Sequence, residues 1–75
     1  MRLKELREDR DYKQNDIAIF LKVANNTYCN YENEKRLIPY DLIIKLAYFY
    51  NVSVDYILGL TDVQKPYPRS KKKSL

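Results

Sequence analysis

The stretch Gln14 to Arg36, QNDIAIFLKVANNTYCNYENEKR, carries two helical periods separated by a three-residue interruption. In the first, Ile17, Ala18 and Leu21 fall at i, i+1 and i+4, on one face of a helix. Lys22-Val23-Ala24 breaks the pattern. In the second, Ala24, Tyr28 and Tyr31 run i, i+4, i+7. A connection this brief does not let the two helices lie antiparallel. The opposite face of the second piece holds Asn25, Asn26, Cys29, Asn30 and Asn33. A merely solvated face normally carries Lys and Glu, which form helices better than Asn. Asparagines concentrated on one face point to a surface built for hydrogen bonding.

The remaining segments read as helices around this pair. An amphipathic helix from about Arg2 to Asp9 turns Leu3 and Leu6 inward, with Arg7 beside them, and Arg10 to Lys13 forms a turn without a strong cap. The second and third helices run from about Gln14 to Leu21 and Asn25 to Asn33. Ile19 and Phe20 are apolar where a polar outer face is expected, and Phe20 reads as covering the core edge. After a charged loop, Pro39 suits an early helical position. The fourth helix, about Tyr40 to Tyr50, has its stripe at Ile43, Leu46, Ala47 and Tyr50 with Ile44 alongside. Leu42, Tyr48 and Phe49 widen that apolar surface and suggest a second contact. Ser53 is a good N-cap for a fifth helix over about Val54 to Leu58, closed by Gly59. Residues 61–75, with two prolines and a run of lysines, read as a basic disordered tail. There is no internal repeat and no strand-like alternation.

Composition bounds the function. The chain has 75 residues and reads as one domain, residues 1–60, near the lower limit for a self-sufficient core. No apolar run is long enough to span a bilayer, and the charged start does not read as a secretory signal. One Cys and no His exclude a disulfide framework and the usual zinc sets; a reducing cytoplasm is the default. A single Gly excludes Gly-rich phosphate loops and the nucleophile elbow. No catalytic constellation is present, so no enzyme, cofactor or metal is expected. The net charge of +4 is misleading in bulk. Residues 1–62 hold nine Lys or Arg against ten Asp or Glu, and the five basic residues beyond them have no acidic counterpart. Binding to a polyanion must therefore come from placement, with Lys13, Lys22, Lys35 and Arg36 flanking the two central helices.

The Gln14–Arg36 stretch resembles the helix-turn-helix of the lambda-repressor and Cro class, the xenobiotic-response-element family. Counting from Gln14, that motif wants apolar residues at places 4, 8, 10, 15 and 18 and a small one at place 5. Ile17, Leu21, Val23, Tyr28, Tyr31 and Ala18 fill them. The likeness covers about residues 2–60, including the closing NVSVDYILG at Asn51 to Gly59. Two positions depart from the pattern. Lys22 stands where the family has a turn glycine with positive φ, and Ala24 stands where it has a Ser or Thr cap.

The resemblance implies an all-α, five-helix, lambda-repressor-like domain that regulates transcription by binding double-stranded DNA. It implies a repressor that acts by occupying a pseudo-palindromic operator as a homodimer. The third helix would enter the major groove with Asn25, Asn26 and Asn30 on base edges, since the Asn amide matches adenine N6 and N7. Thr27 would meet a base or a phosphate. Gln14 would hydrogen-bond a phosphate at the start of the second helix, and Asn33, Lys35 and Arg36 would contact phosphates from the following loop. Arg7 and Glu32 match a family pair that forms an internal salt bridge. Tyr48, Leu58 and Leu60 are the apolar groups available for self-association.

Two other readings stay open: an antitoxin that represses its own operon, and a protein-interaction module that has lost DNA binding. Cys29 reads as an ordinary thiol, and Tyr28, Tyr31 and Tyr50 follow core spacing. With the chain ending soon after the fifth helix, no sensor domain or small-molecule ligand is expected. No membrane partner is expected either.

Overall fold

The computed structural model describes residues 1–66; the part of the basic tail from 67 onward lies outside the described residues. Five α-helices follow in order: α1 Leu3–Asp9, α2 Gln14–Leu21, α3 Asn25–Glu32, α4 Tyr40–Tyr50 and α5 Val54–Leu58. No strand occurs among the described residues.

The core is assembled from one stripe of each helix. Leu3 and Leu6 of α1, Ile17, Ala18 and Leu21 of α2, and Tyr28 and Tyr31 of α3 are all buried. So are Leu42, Ile43, Leu46, Ala47 and Tyr50 of α4, with Tyr56 and Ile57 of α5. Leu42 therefore belongs to the core and not to an outward surface. Ala24 is exposed, because it is the extended cap residue of α3 (φ −65°, ψ 148°) and not part of the helical face.

The α2–α3 turn bends at Lys22, which adopts a left-handed conformation (φ 59°, ψ 42°) without a glycine. For a residue with a Cβ this conformation costs about 1–2 kcal/mol. The turn is closed by Lys22 N–H donating to Ile19 O at 3.1 Å and Val23 N–H to Ala18 O at 3.0 Å. These bonds satisfy carbonyls that the end of α2 would otherwise leave open. At its other end, α2 is capped from inside: Asp16 Oδ2 accepts from Lys13 N–H at 2.8 Å. That bond supplies the capping which the Arg10–Lys13 turn otherwise lacks.

Pro39 precedes α4 as its cap residue (ψ 142°) and does not lie inside the helix. Ser53 Oγ accepts from Tyr56 N–H at 3.0 Å, and Gly59 (φ 82°) terminates α5. The start of the chain is fastened to this end of the fold. Arg2 N–H donates to Ile57 O at 2.8 Å, its guanidinium lies 4.2 Å from the centroid of the Tyr56 ring, and it pairs with Asp62. Gln64 O accepts from Ser53 N–H at 3.1 Å, and Gln64 Nε2 donates to Tyr56 Oη at 3.1 Å. A tail detached from Thr61 onward is thus not what the described residues show. Hydrogen bonds to the cap of α5 hold the chain through Gln64.

Candidate nucleic-acid interface

The outward face of α3 is presented by the helix-turn-helix core beneath it. Tyr28 and Tyr31 are buried below, which leaves Asn25 and Asn26 exposed and Thr27, Cys29 and Asn30 half-buried. Asn25, Asn26 and Thr27 form the first turn, and no side chain caps their N–H groups, since Ala24 has none to offer. Amide side chains and unpaired backbone donors therefore share the amino-terminal end of this helix. Asn33, just past the helix, is exposed, and its Nδ2 donates to Cys29 Sγ at 3.4 Å. Sulfur is a weak acceptor, so a stronger acceptor such as a phosphate oxygen can displace it.

Beyond α3 the chain folds back on itself. Lys35 N–H donates to Asn30 O at 2.9 Å, and Glu34 takes a positive φ of 58°. This brings Lys35 and Arg36 out as exposed cations with no ion pair among the described residues. Lys13 and Lys22 are likewise exposed at the two ends of α2.

Gln14, expected to hydrogen-bond a phosphate, stands at the start of α2 and also has a partner inside the protein. It is half-buried, and its Nε2 donates to Glu32 Oε1 at 3.1 Å. Glu32 is the hub of a small network linking three helices. Arg7 Nε donates to Glu32 Oε2 at 2.6 Å, Arg7 Nη2 to Glu32 Oε1 at 3.3 Å, and Arg7 Nη1 to Tyr12 O at 2.8 Å. The Glu32 side chain is 1% exposed and that of Arg7 11%. Among the described residues, the Tyr28 hydroxyl lies beside Glu32 but makes no well-directed hydrogen bond, and the buried Tyr50 hydroxyl has no hydrogen-bond partner. The Gln14–Glu32 bond joins positions 18 residues apart on different helices, so no periodicity in the chain announces it.

The network sets the titration of its members. Burial pushes the Glu32 carboxyl up, but the groups around it outweigh burial, the Arg7 hydrogen bonds first, then the adjacent Tyr28 hydroxyl and the Gln14 amide, and the net shift is downward from 4.5. Burial and the nearby Glu32 charge raise both tyrosines, Tyr50 to about 12. A lowered carboxyl stabilises the fold above its unfolded value, and that contribution is lost as pH falls through the folded one. A raised phenol stabilises the fold below its unfolded value near 10.0 and loses that contribution as pH climbs towards about 12. Urea midpoints measured against pH should therefore form a plateau that falls below pH 4.5 and again above pH 10. A midpoint independent of pH on the acid side would contradict the network.

A separate apolar surface lies across α2 and α4. Phe20 and Phe49 are in ring contact at 4.5 Å between centroids, and Tyr12 meets Phe49 at 5.3 Å. Phe20, Ile44, Lys45, Tyr48 and Phe49 line a shallow groove of about 450 Å³. Ile19, next to Phe20 in the chain, is 67% exposed. Leu58 and Leu60 are also exposed, at the end of α5 and after it. Tyr48 and Phe49, expected to widen the apolar surface of the fourth helix, both line this groove. The run Ile19-Phe20, apolar on an otherwise polar face of α2, is the sequence signal for the part of this surface that α2 contributes.

Among the described residues no helix is long and apolar enough to cross a membrane, and no cluster of His, Cys, Asp or Glu could hold a metal ion. Comparison with known families matches residues 1–63 to the helix-turn-helix domain. The chain belongs to that family. Its helix-turn-helix is of the Cro and lambda-repressor type. Over 64 residues it is 44% identical to the HTH-type transcriptional regulator ImmR of Bacillus subtilis (strain 168), covering 85% of this chain and 50% of that protein. Over 74 residues it is 40% identical to the uncharacterized HTH-type transcriptional regulator YobD of the same organism, covering 99% of this chain and 64% of that protein. The helix-turn-helix chain thus spans between half and two thirds of the length of these relatives. No solved structure matches it.

Proposed function

We propose that this helix-turn-helix protein is a sequence-specific, DNA-binding regulator of transcription, and that it represses by occupying a promoter site. The observation that carries the reading is the outer face of α3. Exposed asparagine amides stand at the amino-terminal end of the second helix of a helix-turn-helix, with Lys35 and Arg36 uncommitted beside them. In this class that end of the helix enters the major groove. Both relatives bear the name of transcriptional regulators, which supports the same reading. Asn25, Asn26, Asn30 and Thr27 then meet base edges, while Gln14, Asn33, Lys35 and Arg36 meet phosphates. Reading chromosomal or phage DNA places the protein in the cytoplasm.

A single eight-residue helix reads few bases, so the working unit is a homodimer whose two recognition helices lie about 34 Å apart. Tyr48, Leu58 and Leu60, exposed at 56%, 38% and 74%, are the apolar groups offered for that association. In vitro selection from a random DNA pool should enrich a pseudo-palindrome, and sedimentation on the selected duplex should show two protein copies. Failure to enrich any sequence would overturn the DNA-reading function and leave a protein-binding role. A monomer on the full site would overturn the dimer.

A further inference from the structure

The carboxylate of Glu32 does more than neutralise Arg7. Both its oxygens are held from α1 by Arg7, and Oε1 also accepts from Gln14 Nε2 at 3.1 Å. With its side chain 1% exposed, Glu32 is the fixed member of the pair, and the half-buried Gln14 at the start of α2 is the member that is oriented. An ionised carboxylate only accepts hydrogen bonds, so it selects the nitrogen end of the Gln14 amide. The group is planar. Once one Nε2 hydrogen points at Glu32, the direction of the other is set, and the flip that exchanges nitrogen for oxygen costs the hydrogen bond.

We infer that Glu32 is a positioning residue for DNA binding: it holds Gln14 with an N–H, and not a carbonyl oxygen, available to a backbone phosphate. This rests on the reading of Gln14 as a phosphate contact. A phosphate has no hydrogen to give, so a carbonyl turned towards it would be repelled, and an unrestrained amide presents either end. Arg7 completes the device, because its charge offsets that of Glu32, which would otherwise oppose an approaching phosphate. Through Arg7 Nη1 and Tyr12 O the same network also fixes the turn from which α2 begins.

Removing Glu32 alone would strand Arg7 and cost the domain a large share of its stability, so the test compares two proteins that both lack the buried charges. Arg7→Met/Glu32→Gln keeps an acceptor oxygen at position 32; Arg7→Met/Glu32→Leu does not. Each is titrated with duplex DNA of random sequence at low salt, after thermal melts establish the folded fraction. The Gln variant should bind roughly five- to tenfold more tightly, the worth of about one hydrogen bond. Adding Gln14→Ala to both should abolish the difference. A purely structural role for residue 32 would not make its effect depend on Gln14. Equal affinities for the two variants, with Gln14→Ala weakening the parent protein, would overturn the inference while leaving the phosphate contact intact. If Gln14→Ala leaves the parent's affinity unchanged, the phosphate reading itself falls and the inference with it. An NMR measurement on the parent is independent of stability. The Gln14 side-chain amide should exchange its hydrogens more slowly than those of Asn25 and Asn26, and equal rates would overturn the orientation.

Discussion

Arg7→Met should lower the unfolding free energy by about 3–5 kcal/mol, the cost of leaving one member of a buried ion pair uncompensated. The stranded group is Glu32, 1% exposed and packed between α1, α2 and α3. Gln14 remains as a neutral donor but cannot replace a guanidinium that serves both carboxylate oxygens. A domain of about 60 residues is held by only about 3–9 kcal/mol in total, so this one change removes a large share of its stability. Arg7 also donates to Tyr12 O, and the turn between α1 and α2 loosens with it. Arg7→Met/Glu32→Leu should recover much of the loss, since apolar groups of similar volume often replace a buried pair at little or no net cost. Urea denaturation followed by circular dichroism decides this. An unchanged midpoint for Arg7→Met would mean that the pair contributes nothing, and a double variant no better than the single would place the effect in packing.

The fold is legible in the sequence because each of the first four helices announces its buried stripe. Ile17, Ala18 and Leu21 recur at helical spacing, as do Tyr28 with Tyr31 and Ile43 with Leu46, Ala47 and Tyr50, and all are buried. Ser53 and Gly59 mark the ends of α5 by the chemistry that caps helices. Lys22 shows why spacing outranks the missing glycine: tertiary packing of Leu21 and Val23 on either side holds it at φ 59° despite the cost. Leu42 is harder to place, because an apolar residue at the edge of a stripe can face either way until its neighbours are known. Gln64 reads as tail because its bonds to Ser53 and Tyr56 pass through backbone and amide groups, which leave no hydrophobic signature. The same holds for Gln14 and Glu32. Polar partners on separate helices carry no period, so the part of the site that orients groups is less visible in sequence than the part that buries them.

The asparagines of α3 and the cations after it should fail in opposite ways. If Asn26 or Asn30 makes a bidentate contact to adenine, its change to Ala should cost roughly 1–3 kcal/mol at one base-pair position. Asn26 is exposed and Asn30 half-buried, and neither anchors a structural hydrogen bond through its side chain among those seen in the described residues. Ala forms helix better than Asn, so reduced affinity cannot be assigned to a melted α3. Specificity at that base pair should relax while the dependence on salt stays nearly as it was. Lys35→Ala or Arg36→Ala should weaken operator and random DNA alike. Each should also reduce the log–log salt slope by about one, because a protein that neutralises one phosphate fewer releases fewer counterions on binding. Asn33→Ala makes a useful third case. As a neutral donor to phosphate it should lower affinity for all sequences yet leave the slope unchanged, which separates hydrogen bonding to the backbone from charge neutralisation. One series of titrations at several salt concentrations, on selected and random duplexes, distinguishes the three behaviours. Should the Asn26 and Asn30 variants bind both duplexes equally more weakly than the parent, those residues are not readers, and α3 meets DNA in an orientation other than the one proposed.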